Sequence, residues 1–114
     1  MGYYTYFDLQ TDAKYAKEEE IAIWMIDNLD YFSHKNKDYV LLSDYPLDAL
    51  IGGDSMKWYD HSEDMKKVAK AFPDVTFILR GDGEESGDIW KEYYRGDRFH
   101  SSEAEIVFHP PIWL

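Results

Sequence analysis

The last third of the chain, VTFILRGDGEESGDIWKEYYRGDRFHSSEAEIVF, repeats with a period of two, broken only by short glycine-bearing turns. Val75, Phe77 and Leu79 alternate with Thr76, Ile78 and Arg80. Trp90, Glu92 and Tyr94 alternate with Ile89, Lys91 and Tyr93. Ala104, Ile106 and Phe108 alternate with Glu103, Glu105 and Val107. Successive side chains of a strand point to opposite faces, so this stretch reads as three strands that each offer one face to a core. Arg95-Gly96-Asp97 supplies the turn between the second and the third, and Pro110-Pro111 ends regular structure.

The opening YYTYFDLQT alternates in the same way, with Tyr4, Tyr6 and Asp8 opposite Tyr3, Thr5, Phe7 and Leu9, and predicts a first strand. The period then changes. Ile21, Trp24, Met25, Leu29 and Phe32 recur at three and four residues, the pattern of an amphipathic helix, with Thr11 or Asp12 forming a turn before it. Glu18, Glu19 and Glu20 lie near its start, and Lys35 and Lys37 follow its end, both in the sense that the helix dipole favours. DYVLLSDYP reads as a short strand stopped by Pro46. LDALIGGDSMKWYD is left without a regular element, since Gly52-Gly53 breaks it. A second helix follows, with Met65, Val68, Ala69 and Phe72 on one face, Asp60 and Glu63 as a capping box, and Pro73 as its stop. The order β-α-β-α-β-β-β predicts an α+β two-layer sandwich: a mostly antiparallel sheet with two helices on one face, a ferredoxin-like variant in one domain, 1–114.

Composition narrows the function. The chain has 23 acids against 12 bases, a net charge of −11. Such a surface repels nucleic acid and membranes, so neither is expected as a direct partner, and it attracts basic protein surfaces. There is no cysteine, which rules out disulfides and thiolate metal sites. The N-terminal residues show no secretory pattern, and a cytoplasmic location is expected. Aromatics make up 18% of the residues, ten of them tyrosines, which favours a packed core over disorder.

RGDGEESGDIWKEYYRGDR, residues 80–98, is the most unusual stretch. Asp82, Glu84, Ser86, Gly87 and Asp88 fall at the first, third, fifth, sixth and seventh places of a calcium loop, but Tyr93 stands where the closing acid belongs. The adjacent Glu84 and Glu85 would point to opposite faces of a strand, a poor acid/base pair. His34, His61, His100 and His109 are scattered, without a paired metal motif. The plain reading is a hairpin with a solvated acidic tip, in which Gly81, Gly83 and Gly87 permit positive φ. No catalytic residue, metal ligand or cofactor is assigned, and the chain is not expected to be an enzyme. The acids Asp82, Glu84, Glu85, Asp88 and Glu92 beside Trp90 and Tyr93 have the composition of a protein-binding surface, and Glu18, Glu19 and Glu20 form a second acidic patch. A small-ligand or calcium-binding module using residues 82–88 is one alternative. An enzyme using a histidine and a distant carboxylate is another.

The block WYDHSEDMKKVAKAFPDVTFILRGDGEESGDIWKEYYRG, residues 58–96, resembles small acidic proteins of phages and mobile elements. In those, a Trp-Tyr pair precedes an acidic helix, a Pro-terminated turn, a strand and a Gly-Glu-Glu…Gly-Asp-x-Trp hairpin. The resemblance covers about a third of the chain and implies a ferredoxin-like two-layer fold. In size and charge the chain also resembles anti-CRISPR and anti-restriction proteins. That implies an inhibitor, acting in the host cytoplasm, that occupies a nucleic-acid-binding surface of a defence protein by mimicking nucleic acid. An exposed edge strand leaves monomer and homodimer both open.

Overall fold

The structure is a computed structural model that describes residues 3–52, 54–104 and 110–113. Five strands, β1 (Thr5–Thr11), β2 (Asp54–Met56), β3 (Phe77–Gly83), β4 (Ile89–Arg95) and β5 (Arg98–Glu103), form one sheet in the order β2-β1-β3-β4-β5, with every neighbouring pair antiparallel. Four α-helices accompany it: α1 (Tyr15–Asn28), α2 (Lys37–Leu41), α3 (Pro46–Ile51) and α4 (His61–Ala71), with a 3-10 turn at Asp30–Phe32. The fold is α+β. Because β2 and β3 both run antiparallel to β1, they are parallel to each other, and β2-α4-β3 is a β-α-β unit with β1 inserted between its strands.

The alternation in the sequence sorts the two sheet faces. Phe7, Leu9, Phe77, Leu79 and Tyr94 are buried on one face, against Ile21, Met25, Met65 and Val68 of the helices. α1 packs on α3 and α4, α3 on β1, and α4 on β4. Trp58 is 1% exposed and meets Phe7 and Phe32 edge to face, at ring centroid distances of 5.4 and 4.9 Å. Such contacts add to the area they bury. The outward-pointing residues of β1, β3 and β4 stay exposed or half-buried. No described helix is long and apolar enough to cross a membrane.

Several expectations are corrected. The stretch 38–46, expected as a strand, instead holds most of α2, a turn at 42–45 and the first residue of α3, which raises the helix count from two to four. Asn36 caps α2, its side-chain oxygen accepting from the Asp38 and Tyr39 N–H groups at 2.9 and 3.3 Å. Pro46 opens α3 at its first turn instead of closing a strand, since proline's missing N–H has no intrahelical acceptor there. The Asp60 capping box does not form: the Asp60 side chain makes no cap bond. Asp64, one turn on, instead accepts from the Trp58 indole N–H at 2.7 Å. Positive φ occurs at Gly87 and Gly96, not at Gly81 or Gly83. Gly81 serves close approach, for a side chain there would run into the Trp90 indole. The predicted run of the last strand through Ile106 and Phe108 lies outside the described residues.

Candidate functional site

The β3–β4 hairpin closes through Gly83 N–H to the Asp88 carbonyl, 2.8 Å, and Asp88 N–H to the Glu85 carbonyl, 3.1 Å. Its acids are partly spent on the fold. Asp88 accepts from the Tyr3 hydroxyl at 2.6 Å, and that hydroxyl accepts from Glu85 N–H at 3.0 Å. Glu84 accepts from Tyr4 N–H at 2.8 Å. The bond to Asp88 is the main cause of a raised Tyr3 pKa. The hairpin tip thus ties down the chain leading into β1. Asp82 lies on the outer sheet face between Tyr6 and Ile89. Among the described residues no three His, Asp or Glu side chains converge as a metal site would require.

Glu92 is not a surface contact, which corrects its assignment to the partner-binding loop. Its register opposite Leu79 turns it to the core face, where it is 7% exposed. Three groups bond to its carboxylate at 2.8 Å each: His61 Nδ1, the Ser62 hydroxyl and the Tyr94 hydroxyl. Burial pushes its pKa up, but these bonds more than offset that, and the pKa is lowered. The His61 ring stacks on Trp90, with centroids 4.7 Å apart. Trp90 is half-buried and also meets Phe7, so it belongs with the core. This is the converging histidine and carboxylate an acid/base site would need, yet both hydroxyls are committed to Glu92. A cleft of about 450 Å³ is lined by Asn28, Tyr31, Trp58, Tyr59 and Asp60 and does not reach His61 or Glu92. The geometry is that of a clamp joining the start of α4 to β4.

The second acidic patch gains neighbours. Tyr15, the first residue of α1, bonds the Ser43 carbonyl at 3.3 Å and so joins α1 to the α2–α3 connection. Its pKa is raised, first by partial desolvation and then by the neighbouring carboxylates of Glu19, Asp44 and Glu18. The Glu18 pKa is raised by burial and by Asp48 of α3. Among the described residues none of these carboxylates stands in an ion pair. Glu20 turns aside and pairs with Lys17 at 3.2 Å. Around the patch Tyr39 is 70% exposed, Leu42 87% and Tyr45 65%. Tyr39 and Leu42 are three residues apart, hence neighbours on one side of α2. Asp44, Asp48, Tyr39, Leu42 and Tyr45 escape sequence reasoning because a strand at 38–46 would have separated them.

The two acidic patches lie at opposite ends of the sheet. The hairpin tip adjoins the Thr5 end of β1, while α1 starts beyond Thr11. Seven residues of strand, about 20 Å, separate them. Tyr93 is on the outer sheet face, its ring 5.9 Å from His100, away from both. Comparison with family models, with curated proteins and with solved structures finds no match to the chain.

Proposed function

We propose that the chain is a non-catalytic binding module that docks a basic protein surface through the acidic and aromatic patch of α1, α2 and α3. The observation that carries this is the exposure of Tyr39, Leu42 and Tyr45 beside the unneutralised carboxylates of Glu18, Glu19, Asp44 and Asp48. Large side chains of this kind, Tyr39 on the capped helix α2 and Leu42 and Tyr45 at the ends of the short connection to α3, supply contact area at low entropic cost. The carboxylates around them steer a basic partner and reject an acidic one. In its fuller form the reading makes the chain an inhibitor of the type carried by phages and mobile elements. It would work in the host cytoplasm, occupying the groove that nucleic acid fills on a defence protein. The ferredoxin-like variant belongs to the same reading, supported by the split β2-α4-β3 unit.

The test is affinity capture from bacterial lysate on three columns: wild type, a patch variant (Leu42→Ser with Asp48→Lys) and a hairpin variant (Glu84→Lys with Glu85→Lys). A basic, nucleic-acid-handling protein held by wild type and hairpin variant, released by salt and lost from the patch variant, is the expected result. Equal capture by the patch variant refutes the assignment. Loss from the hairpin variant alone returns the site to residues 82–88.

A further inference from the structure

The net charge of the whole chain hides a division that the sheet makes. All three arginines, Arg80, Arg95 and Arg98, stand on the outer sheet face, away from the helices. Registers across β3, β4 and β5 arrange that face in rows. Asp8 lies beside Arg80, Arg80 beside Lys91, and Lys91 beside Ser102. In the next row Ile78 lies beside Tyr93, and Tyr93 beside His100. In the third, Arg95 lies beside Arg98. Rows are two residues apart along a strand, about 7 Å. An aromatic and imidazole row is therefore flanked on both sides by a row that carries two cations, Arg80 and Lys91 on one side and Arg95 and Arg98 on the other. Two shallow depressions follow the same rows: one of about 180 Å³ bordered by Arg80, Ile89, Lys91 and Glu103, the other of about 130 Å³ bordered by Tyr93, Arg95 and His100. Among the described residues Arg95 pairs with Asp12, at 3.5 Å, and no such pair holds Arg80, Lys91 or Arg98.

We propose that this face binds single-stranded nucleic acid, with phosphates on the two cationic rows and an unstacked base on Tyr93 and His100. The proposal goes beyond the protein-docking reading and stands without it. Guanidinium groups suit phosphate because their planar fork binds two oxygens at once. Ring faces between them suit a base, and every base has a π-face to offer. An acidic peptide would use the arginines but leave the Tyr93–His100 row without a role. A duplex keeps its bases covered. On this face Asp8 lies beside Arg80 and Asp82 toward the hairpin tip, which leaves Lys91 and Arg98 as its least opposed cations. The acids of the helical layer lie on the far side of the sheet, and at physiological salt a charge is screened beyond about 8 Å.

The measurement is fluorescence anisotropy of a labelled oligothymidylate titrated with the full chain, first at low salt and then at rising salt. Binding is expected, weakening with salt on a log–log slope of roughly −2 to −3 for three or four phosphates. Lys91→Ala and Arg98→Ala, both at exposed positions, each flatten that slope by about 0.7. Tyr93→Ala weakens binding roughly tenfold and leaves the slope unchanged. Circular dichroism and melting temperature confirm that each variant is folded; should Tyr93→Ala fail there, the two exposed variants decide. The proposal is overturned if wild type does not bind at low salt. It is equally overturned if the matching duplex binds as tightly, if polyglutamate displaces the strand at equal charge, or if Lys91→Ala and Arg98→Ala bind as wild type does.

Discussion

Among the described residues Glu92 is the one charged side chain that is buried. Its pKa is lowered, so the unfolded chain binds a proton in a range where the folded chain does not. Stability from this group is fully present above the unfolded carboxylate value, near 4.3, and is lost as pH falls through the lower folded value. Urea denaturation should therefore show a decline on acidification that Glu92→Gln reduces. At neutral pH the same variant leaves His61 and two hydroxyls facing a neutral amide, and we expect a loss of about 3 kcal/mol. Tyr94→Phe removes one donor, costing about 1 kcal/mol, and reduces the acid-linked part in the same experiment. Equal acid sensitivity in all three proteins would place the linkage elsewhere. Glu92's inward position was legible, since alternation groups it with Trp90 and Tyr94. Its partners were not, because His61 and Ser62 come from a helix thirty residues earlier whose approach to β4 is set by packing.

Among the elements, residues 37–51 show where local pattern runs out. Val40, Leu41 and Leu42 form an apolar run too short for periodicity to distinguish strand from helix. Two signals favour helix, and both were present: Asn36 as a cap and Pro46 as a first-turn residue. The longer elements β1, β3, β4 and α4 were readable because each buries one face over enough residues for its period to show. β2, three residues long, was not, since it becomes a strand only by pairing with β1. The binding patch rests on the missed segment, so the cap is the place to test it. Asn36→Ala should cost about 1 kcal/mol in urea unfolding, the usual worth of such a cap. If α2 presents Tyr39 and Leu42 to the partner, this variant also weakens capture, although Asn36 lies outside the proposed contact. Unchanged stability would mean that tertiary contacts alone hold α2.

At the scale of the molecule, charge is unevenly spread. Residues 15–51 hold eight acids against three lysines, while the outer sheet face holds every arginine, together with Asp8 and Asp82. A net charge of −11 favours encounter with a basic partner and at the same time works against the compact state by self-repulsion. Glu18 and Asp48 are the place to separate the two effects. The pKa of Glu18 is raised by burial and then by Asp48, so the folded protein holds this proton more readily than the unfolded chain does. For such a carboxylate the folded state is penalised above its folded pKa and relieved as pH falls through it. Asp48→Asn removes one of the repelling charges while nearly preserving shape. It should therefore stabilise the protein at neutral pH, by roughly 0.3 kcal/mol at low salt, and the gain should vanish in high salt where the charges are screened. The same substitution should slow association with the basic partner captured by wild type and lessen the salt dependence of its on-rate, since that charge contributes to steering. Thermal melts and stopped-flow association at two salt concentrations measure both. A patch kept acidic for binding gives opposite signs, more stable but slower to bind. A patch whose charge serves only solubility gives the stability change with the on-rate unaltered.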